Sequence, residues 1–166
     1  MSPTMYDASA PVFERMLANL SRILAKAEAY ALEQRVDPAA FLQARLYPDM
    51  FPLMRQVQTA CDHAKGATAR LAGLEPPRFA DEEQTFEEIR QRIDRTLEYI
   101  GSVPPSLIGQ SASRAIVLKL GGRETQFGGT DYLFTFALPN FFFHVTTAYD
   151  ILRHGGLDIG KRDYLG

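Results

Sequence analysis

The chain contains a single cysteine, Cys61, among its 166 residues. One thiol excludes an intramolecular disulfide, and it excludes zinc sites that take two or four cysteines from one chain. Free cysteine usually packs as a small apolar side chain, and the sequence offers no base partner that would activate this thiol. Cys61 is therefore predicted to be a buried structural residue.

The sequence also lacks long apolar runs and a surplus of one charge. No run approaches the ~20 apolar residues that span a bilayer, and the first residues lack the basic and apolar blocks of a secretory signal. We therefore expect a cytoplasmic protein without membrane contacts. The net charge is −2 with both signs interspersed. Without a basic stripe we expect no nucleic-acid partner.

No class of residue is over-represented in the composition. Apolar residues make up 46% and charged residues 23% of the chain, which is typical of globular proteins and excludes disordered and collagen-like chains. A length of 166 residues suits one domain with one core. We predict a single domain over residues 1–166.

Apolar residues recur at three- and four-residue steps in four segments, which predicts four long amphipathic helices. Pro139 lies inside the fourth helix and is expected to kink or split it. The tail, residues 157–166, is predicted to be irregular. The predicted helices cover residues 7–35, 50–72, 85–101 and 130–154, and a short helical turn covers residues 37–42.

Helix ends are marked by polar caps and glycine. Thr85 and Glu88 match the capping-box spacing, and Gly73 stands where a glycine stop is expected. Side-chain oxygens can also satisfy backbone N–H groups at the other starts. The caps assigned to these starts are Asp7 or Ser9, Asp37, Asp49, and Thr130 with Asp131.

Residues 115–127 alternate apolar and polar side chains around Gly121-Gly122, a pair suited to a tight turn. This pattern predicts a β-hairpin, which is only marginally stable alone and must pack on the helices or pair with another chain. The predicted fold class is all-α: a four-helix bundle with a small β-hairpin inserted between helices 3 and 4.

Histidine is scarce, and two of the three histidines lie in the fourth helix. His144 and His154 are ten residues apart, about 15 Å along a continuous helix, so they cannot ligate one ion together. His154 is expected to interact with the carbonyls at the helix end.

His144 is the histidine most consistent with a functional role. Asn140 shares its helix face, and His63 and Gln56 share a face of the second helix. If these helices are neighbours, His144 and His63 could hold a metal between them, since bundles build metal sites from facing helices. Asn140 is a third candidate ligand, and Asp62 or Asp49 could complete the set. Alternatively, His144 is a half-buried, hydrogen-bonded residue and His63 lies on a helix flank.

Phenylalanine is concentrated around Pro139, in a run too broad for one helical stripe. Some of these rings are expected to form a homodimer interface or a pocket for an apolar small-molecule ligand. The candidate pocket-lining residues are Gln56, Asp62, Phe141 and Phe143.

Other chemistries lack their motifs. The sequence has no Gly-x-Ser-x-Gly elbow, and its glycine-rich segments lack the spacing of a P-loop. The acidic residues 81–83 and 87–88 are expected to be solvated and to complement a helix N-terminus.

Three long stretches carry a resemblance to a known superfamily: "MYDASAPVFERMLANLSRIL", "DMFPLMRQVQTACDHAKGATARLAG" and "LPNFFFHVTTAYDILRHGGLDIGKRDYLG". The chain resembles the DinB-like (YfiT-like) superfamily, and within it a small bacterial family known as a domain of unknown function. The resemblance covers nearly the whole chain. It implies a DinB-like four-helix bundle.

The superfamily is known for a divalent-metal site of three histidines, one on helix 2 and two in a motif resembling His-x-x-x-His-Arg-Gly-Gln. The resemblance places the motif histidines at Asn140 and His144, and the helix-2 ligand at His63. At most two ligands are therefore kept, and Val145–Thr147 replaces Arg-Gly-Gln. Superfamily members with full sites include thiol-dependent transferases and isomerases.

Two functions are consistent with these residues. The first is a ligand-binding or non-catalytic homodimer with a degenerate metal site. The second is a hydrolase or thiol transferase that uses His144 and His63 to hold a divalent metal such as zinc or nickel. Whether the chain is an enzyme stays open at this point.

Overall fold

A computed structural model describes residues 3–166. Helix α3 packs against α4 and α7, and α1 packs against the same two helices, so the four long helices close around one core. The four-helix bundle predicted from the sequence is confirmed. Its long helices are α1 (Ala10–Glu33), α3 (Leu53–Ala72), α4 (Phe86–Ser102) and α7 (Leu138–His154). The short helices are α2 (Pro38–Gln43), α5 (Pro105–Gly109), α6 (Gly129–Asp131) and α8 (Lys161–Leu165).

Three predicted helix ends are confirmed. Thr85 accepts a hydrogen bond from the N–H of Glu88, whose carboxylate accepts one from the N–H of Thr85, which completes the capping box. Asp37 accepts from the N–H of Ala39 at the start of α2. Gly73 ends α3 at φ +76°, a left-handed conformation that favours glycine.

Of two other predicted caps, Asp49 is wrong, and Ser9 is at the cap position but makes no side-chain capping bond. Helix α3 begins three residues after Met50, with Pro52 and not Asp49 at the cap position. Ser9 does precede α1, but its hydroxyl donates to the carbonyl of Met5 at 2.6 Å and caps nothing. At Ser9 the carbonyl of Met5 competes for the hydroxyl, and at the start of α3 a proline occupies the cap position.

The hairpin consists of β1 (Ala115–Leu120) and β2 (Arg123–Gly128), paired antiparallel. Gly121 and Gly122 form its turn with φ of +55° and +83°, as predicted. Ile116 and Leu118 are buried against the helices, whereas Val117 between them is exposed. The hairpin is thus packed on the bundle through one face.

The junction between β2 and α7 differs from the prediction. Thr130 is not a cap, because its hydroxyl donates to the carbonyl of Ala112 and Gly128 occupies the cap position. A Cβ at Gly129 would overlap the carbonyl oxygen of Ser111, so this close approach requires glycine. Residues Tyr132–Ala137 then form a π-helical segment before α7.

Pro139 accounts for where this π-helical segment ends. Proline has no N–H to donate to the carbonyl four residues earlier, and the wide turns stop just before it. The fourth helix is therefore not split at Pro139: it is continuous, and its hydrogen-bonding pattern changes from π-helical to α-helical just before the proline. The side-chain amide of Asn140 donates to the carbonyl of Phe136 at 2.7 Å, and this bond links α7 to the π-helical segment.

The prediction that the tail is irregular is wrong, because residues Lys161–Leu165 form helix α8. Helix α8 packs along α1, where the Asn19 side chain donates to the carbonyl of Tyr164 at 2.9 Å and Lys26 pairs with Asp163. Its five residues are too short for a periodic signal to stand out in the sequence. In the described part of the chain, none of the helices combines the length and apolarity of a bilayer span.

Candidate functional site

The packing of α3 on α7 brings His63 and His144 together. Their ring centroids are 5.5 Å apart and the ring planes differ by 14°, so the two imidazoles are stacked. His144 is 9% exposed, and His63 is half-buried. The histidines that the sequence could only place on separate helices thus form one pair.

Gln56 determines which nitrogen of His144 carries the proton. The Nε2 of Gln56 donates to the carbonyl of Phe51 at 3.1 Å, so its Oε1 is the atom that lies 2.7 Å from Nδ1 of His144. An amide oxygen only accepts, and therefore Nδ1 donates. In the neutral ring the lone pair is then on Nε2 of His144, which is available to a hydrogen-bond donor.

Both histidines are held in the neutral form. The pKa of His63 is lowered from its ordinary value to about 4, chiefly by burial and secondarily by neighbouring His144; Asp62 opposes this shift and Arg70 adds to it. Burial and, secondarily, Arg55 lower the pKa of His144. At neutral pH the pair is therefore uncharged and offers lone pairs.

Aromatic rings surround the pair. Phe51 stacks on His144 with centroids 6.4 Å apart, and the neighbouring Phe143 ring stands perpendicular to the imidazole at 5.2 Å. Phe136, in the π-helical segment, meets the edge of His63 at 6.1 Å. Phe51 and Phe143 are 49% and 57% exposed, and the guanidinium of Arg55 lies over the Phe51 ring at 5.7 Å, so the exposed groups beside His144 are two aromatic rings and one cation.

Three other candidate residues do not join the pair. The side chain of Asn140 donates a hydrogen bond to the carbonyl of Phe136 and forms none with either imidazole. Asp62 pairs with Arg92 at 3.0 Å and Lys65 at 2.9 Å. Phe141 is fully buried, with its ring 4.9 Å from that of Phe13, and belongs to the bundle core.

The two imidazoles do not fit a metal ion as they stand. The lone pair of a ring nitrogen lies in the ring plane, and stacked rings have nearly parallel planes. Their lone pairs therefore do not converge on one point. Among residues 3–166, no three His, Cys, Asp or Glu side chains are grouped to hold a metal ion, whereas protein zinc sites use at least three such ligands.

Comparison with known families is decisive for identity. The model of a family described as a domain of unknown function, DUF1993, matches residues 5–165. The chain belongs to the DUF1993 family.

A solved relative supports the superfamily. The DUF1993 chain is similar to a DinB family member protein from Shewanella denitrificans, known from a crystal structure at 1.83 Å resolution. The two are 42% identical, the match covers 97% of this chain and 91% of that one, and the TM-score is 0.89. The DinB-like resemblance and fold are confirmed. No curated protein matches the chain.

Sequence reasoning missed a second polar centre of this DUF1993 chain, around Arg92. The Arg92 side chain is 0% exposed and pairs with Asp62 and Asp81 at 3.0 Å and with Glu83 at 3.2 Å. It also donates to the carbonyl of Ala80 at 2.9 Å. We refer to these groups as the Arg92 cluster; it fastens the loop between α3 and α4 to both helices.

The prediction that the acids at 81–83 are solvated holds for Asp81 and Glu82, which are exposed, and is wrong for Glu83. The side chain of Glu83 is only 5% exposed, and Asp81 also pairs with Arg55. One signal was available: Arg92 stands between Ile89 and Ile93 on the apolar face of its helix. An arginine there needs acid partners, and the loop just before the helix is rich in them.

Cys61 lies close to this cluster and is inert. It is fully buried, as predicted, and burial raises the pKa of its thiol to about 12. A thiol with a raised pKa is a poor nucleophile. In the DUF1993 chain it therefore packs as an apolar side chain.

Proposed function

We propose that this DUF1993 chain is a non-catalytic binding protein whose ligand docks on the His63–His144 pair without a metal. One observation carries the proposal: the two neutral rings are stacked, and Gln56 fixes Nδ1 of His144 as a donor. The pair therefore presents a hydrogen-bond acceptor, Nε2 of His144, beside the exposed rings of Phe51 and Phe143.

The surround indicates the chemistry of this ligand. Phe51 and Phe143 lie beside His144 and are about half exposed, and an apolar or aromatic group would cover them. A neutral O–H or N–H group of the ligand would donate to Nε2 of His144, which accepts once Nδ1 carries the proton. The proposed ligand is a small, largely apolar molecule with one hydrogen-bond donor.

A second candidate function is a divalent-metal-dependent hydrolase or thiol transferase that uses His144 and His63. The observation in its favour is the neutral state of both imidazoles, because only a neutral ring can ligate a metal. The hydrogen bond that Nδ1 of His144 donates to Gln56 also resembles the one that orients metal-binding histidines. This function would need one ring to turn out of the stack.

Metal content separates the two functions. Protein purified without a histidine tag, incubated with zinc or nickel and then desalted, is expected to retain far less than one metal ion per chain. Elemental analysis of wild type and His144→Ala measures this, with His154→Ala as the matched control because it is exposed and ends α7. One equivalent in wild type and His154→Ala that is absent from His144→Ala would overturn the metal-free proposal.

We further propose that the chain is a homodimer in which a second copy covers Phe51 and Phe143 and closes the site. Two phenylalanines about half exposed, both in contact with His144, leave an apolar face that a partner would bury. Light scattering at micromolar concentration is expected to give twice the monomer mass for wild type.

The variant Phe143→Ser is expected to give the monomer mass. Val117→Ser is the matched control, since Val117 is similarly exposed but lies on the hairpin. A monomeric wild type, or an equal effect of both substitutions, would count against the dimer.

A further inference from the structure

A cavity of about 350 Å³ lies between the C-terminal end of α3, the segment that follows it, and β1. It is separate from the histidine pair, and three of its lining side chains are cationic: Arg70, Arg114 and Lys119. The one acidic side chain in the lining is Glu75. The cavity therefore carries a net positive charge.

Arg114 is half-buried and has no acid partner. Its guanidinium lies over the backbone of Gly73, and its Nε is buried without a hydrogen-bond acceptor. Within residues 3–166 it forms no ion pair. A guanidinium taken partly out of water without an acceptor is unfavourable, and such groups are normally paired.

Arg70 reaches the same cavity from α3. It is half-buried, and its one recorded side-chain hydrogen bond is a long contact of 3.4 Å to the hydroxyl of Tyr132. It too has no ion pair within the described residues. Elsewhere the chain pairs its half-buried or buried arginines with acids, as at Arg90 and Arg92.

From this arrangement we propose that the cavity binds the oxyanion group, phosphate or carboxylate, of a small molecule. Guanidinium groups present N–H donors in a fork that matches both oxyanions, and charge-assisted bonds of this kind are the strong ones. The terminal N–H groups of Arg114, which lines the cavity, would donate to such an oxyanion. Lys119 adds a third positive charge at the rim, where it is exposed.

The end of α3 accounts for only part of this arrangement. The carbonyls at a helix C-terminus attract cations, which gives a reason for Arg114 to lie over Gly73. Arg70 is different, because its guanidinium extends back toward Gly66, well inside the helix. Arg70 and Arg114 both line the cavity without an acid partner, and one bound anion would account for both.

Titration calorimetry at low ionic strength tests the site, with inorganic phosphate in one arm and acetate in the other. Saturable binding of phosphate alone identifies a phosphate site, and saturable binding of acetate identifies a carboxylate site. Arg70→Gln and Arg114→Gln are each expected to weaken binding at least tenfold, since each removes a charge-assisted contact.

The matched control is Arg123→Gln, an exposed arginine at the start of β2 that does not line the cavity. Arg114→Lys provides a second variant that keeps the charge and loses the fork, so it should bind with intermediate affinity. The absence of saturable binding of either anion would overturn the proposal. An equal loss in Arg123→Gln would overturn it as well.

Discussion

Replacing Arg92 with alanine is expected to lower the free energy of unfolding by about 3 to 5 kcal/mol. The buried guanidinium contacts Asp62, Asp81 and Glu83, and its removal leaves three carboxylates clustered without their shared cation. Glu83 is expected to account for the largest part of this loss of stability, because its side chain is nearly fully buried. Urea unfolding of both proteins, followed by circular dichroism, measures the difference through the midpoint and slope.

Arg95→Ala is the matched control for this prediction. Arg95 lies on the same helix and contacts the same Glu83 at 3.3 Å, but its side chain is 52% exposed. Exposed ion pairs contribute about 0 to 1 kcal/mol, so this substitution should have a small effect. Equal losses for Arg92→Ala and Arg95→Ala would contradict the view that burial makes the Arg92 cluster strong.

The Arg92 cluster also bears on the site. Asp62 follows Cys61 and precedes His63 in the sequence, so it is the acid best placed to assist that imidazole. It is instead paired with Arg92 and Lys65 on the other side of the helix. The cations that fix the loop between α3 and α4 therefore also remove the acid most available as a third metal ligand.

The helices and the hairpin could be predicted because their signals are local. Three- and four-residue apolar steps, a capping box at Thr85 and a double glycine at Gly121 each report on neighbours in the sequence. The wrong predictions of caps at Asp49 and Thr130 also come from reliance on local sequence signals. Several polar residues near a helix start satisfy the local rule, and packing decides which one is used.

The site could be predicted only in part, because its decisive features are contacts through space. Periodicity placed His63 and Gln56 on one face, but the stacking on His144 depends on how α3 packs against α7. The π-helical segment that brings Phe136 to His63 has no periodic signature of its own. The role of Arg92 was missed because two of its acid partners, Asp81 and Glu83, lie in a loop that looks solvated in the sequence and the third, Asp62, lies on another helix.

The stability of the protein is expected to fall as the pH drops from about 6.5 to about 4, with His63 as a main cause. Above this range the imidazole is neutral in both folded and unfolded chains, so it adds no pH dependence. Within the range the unfolded chain binds a proton that the folded chain excludes by burial. The loss has a limiting slope of about 1.4 kcal/mol per pH unit.

His63→Phe tests this prediction, because phenylalanine keeps a ring between Phe136 and His144 and cannot titrate. Between about pH 7.5 and pH 5, the unfolding free energy of wild type should fall by about 2 kcal/mol more than that of the variant. The control is His154→Phe, at the exposed end of α7, which should behave as wild type does. If His63→Phe loses as much stability as wild type over this range, His63 is not held neutral in the fold. The proposed site would then lose one of its two uncharged rings.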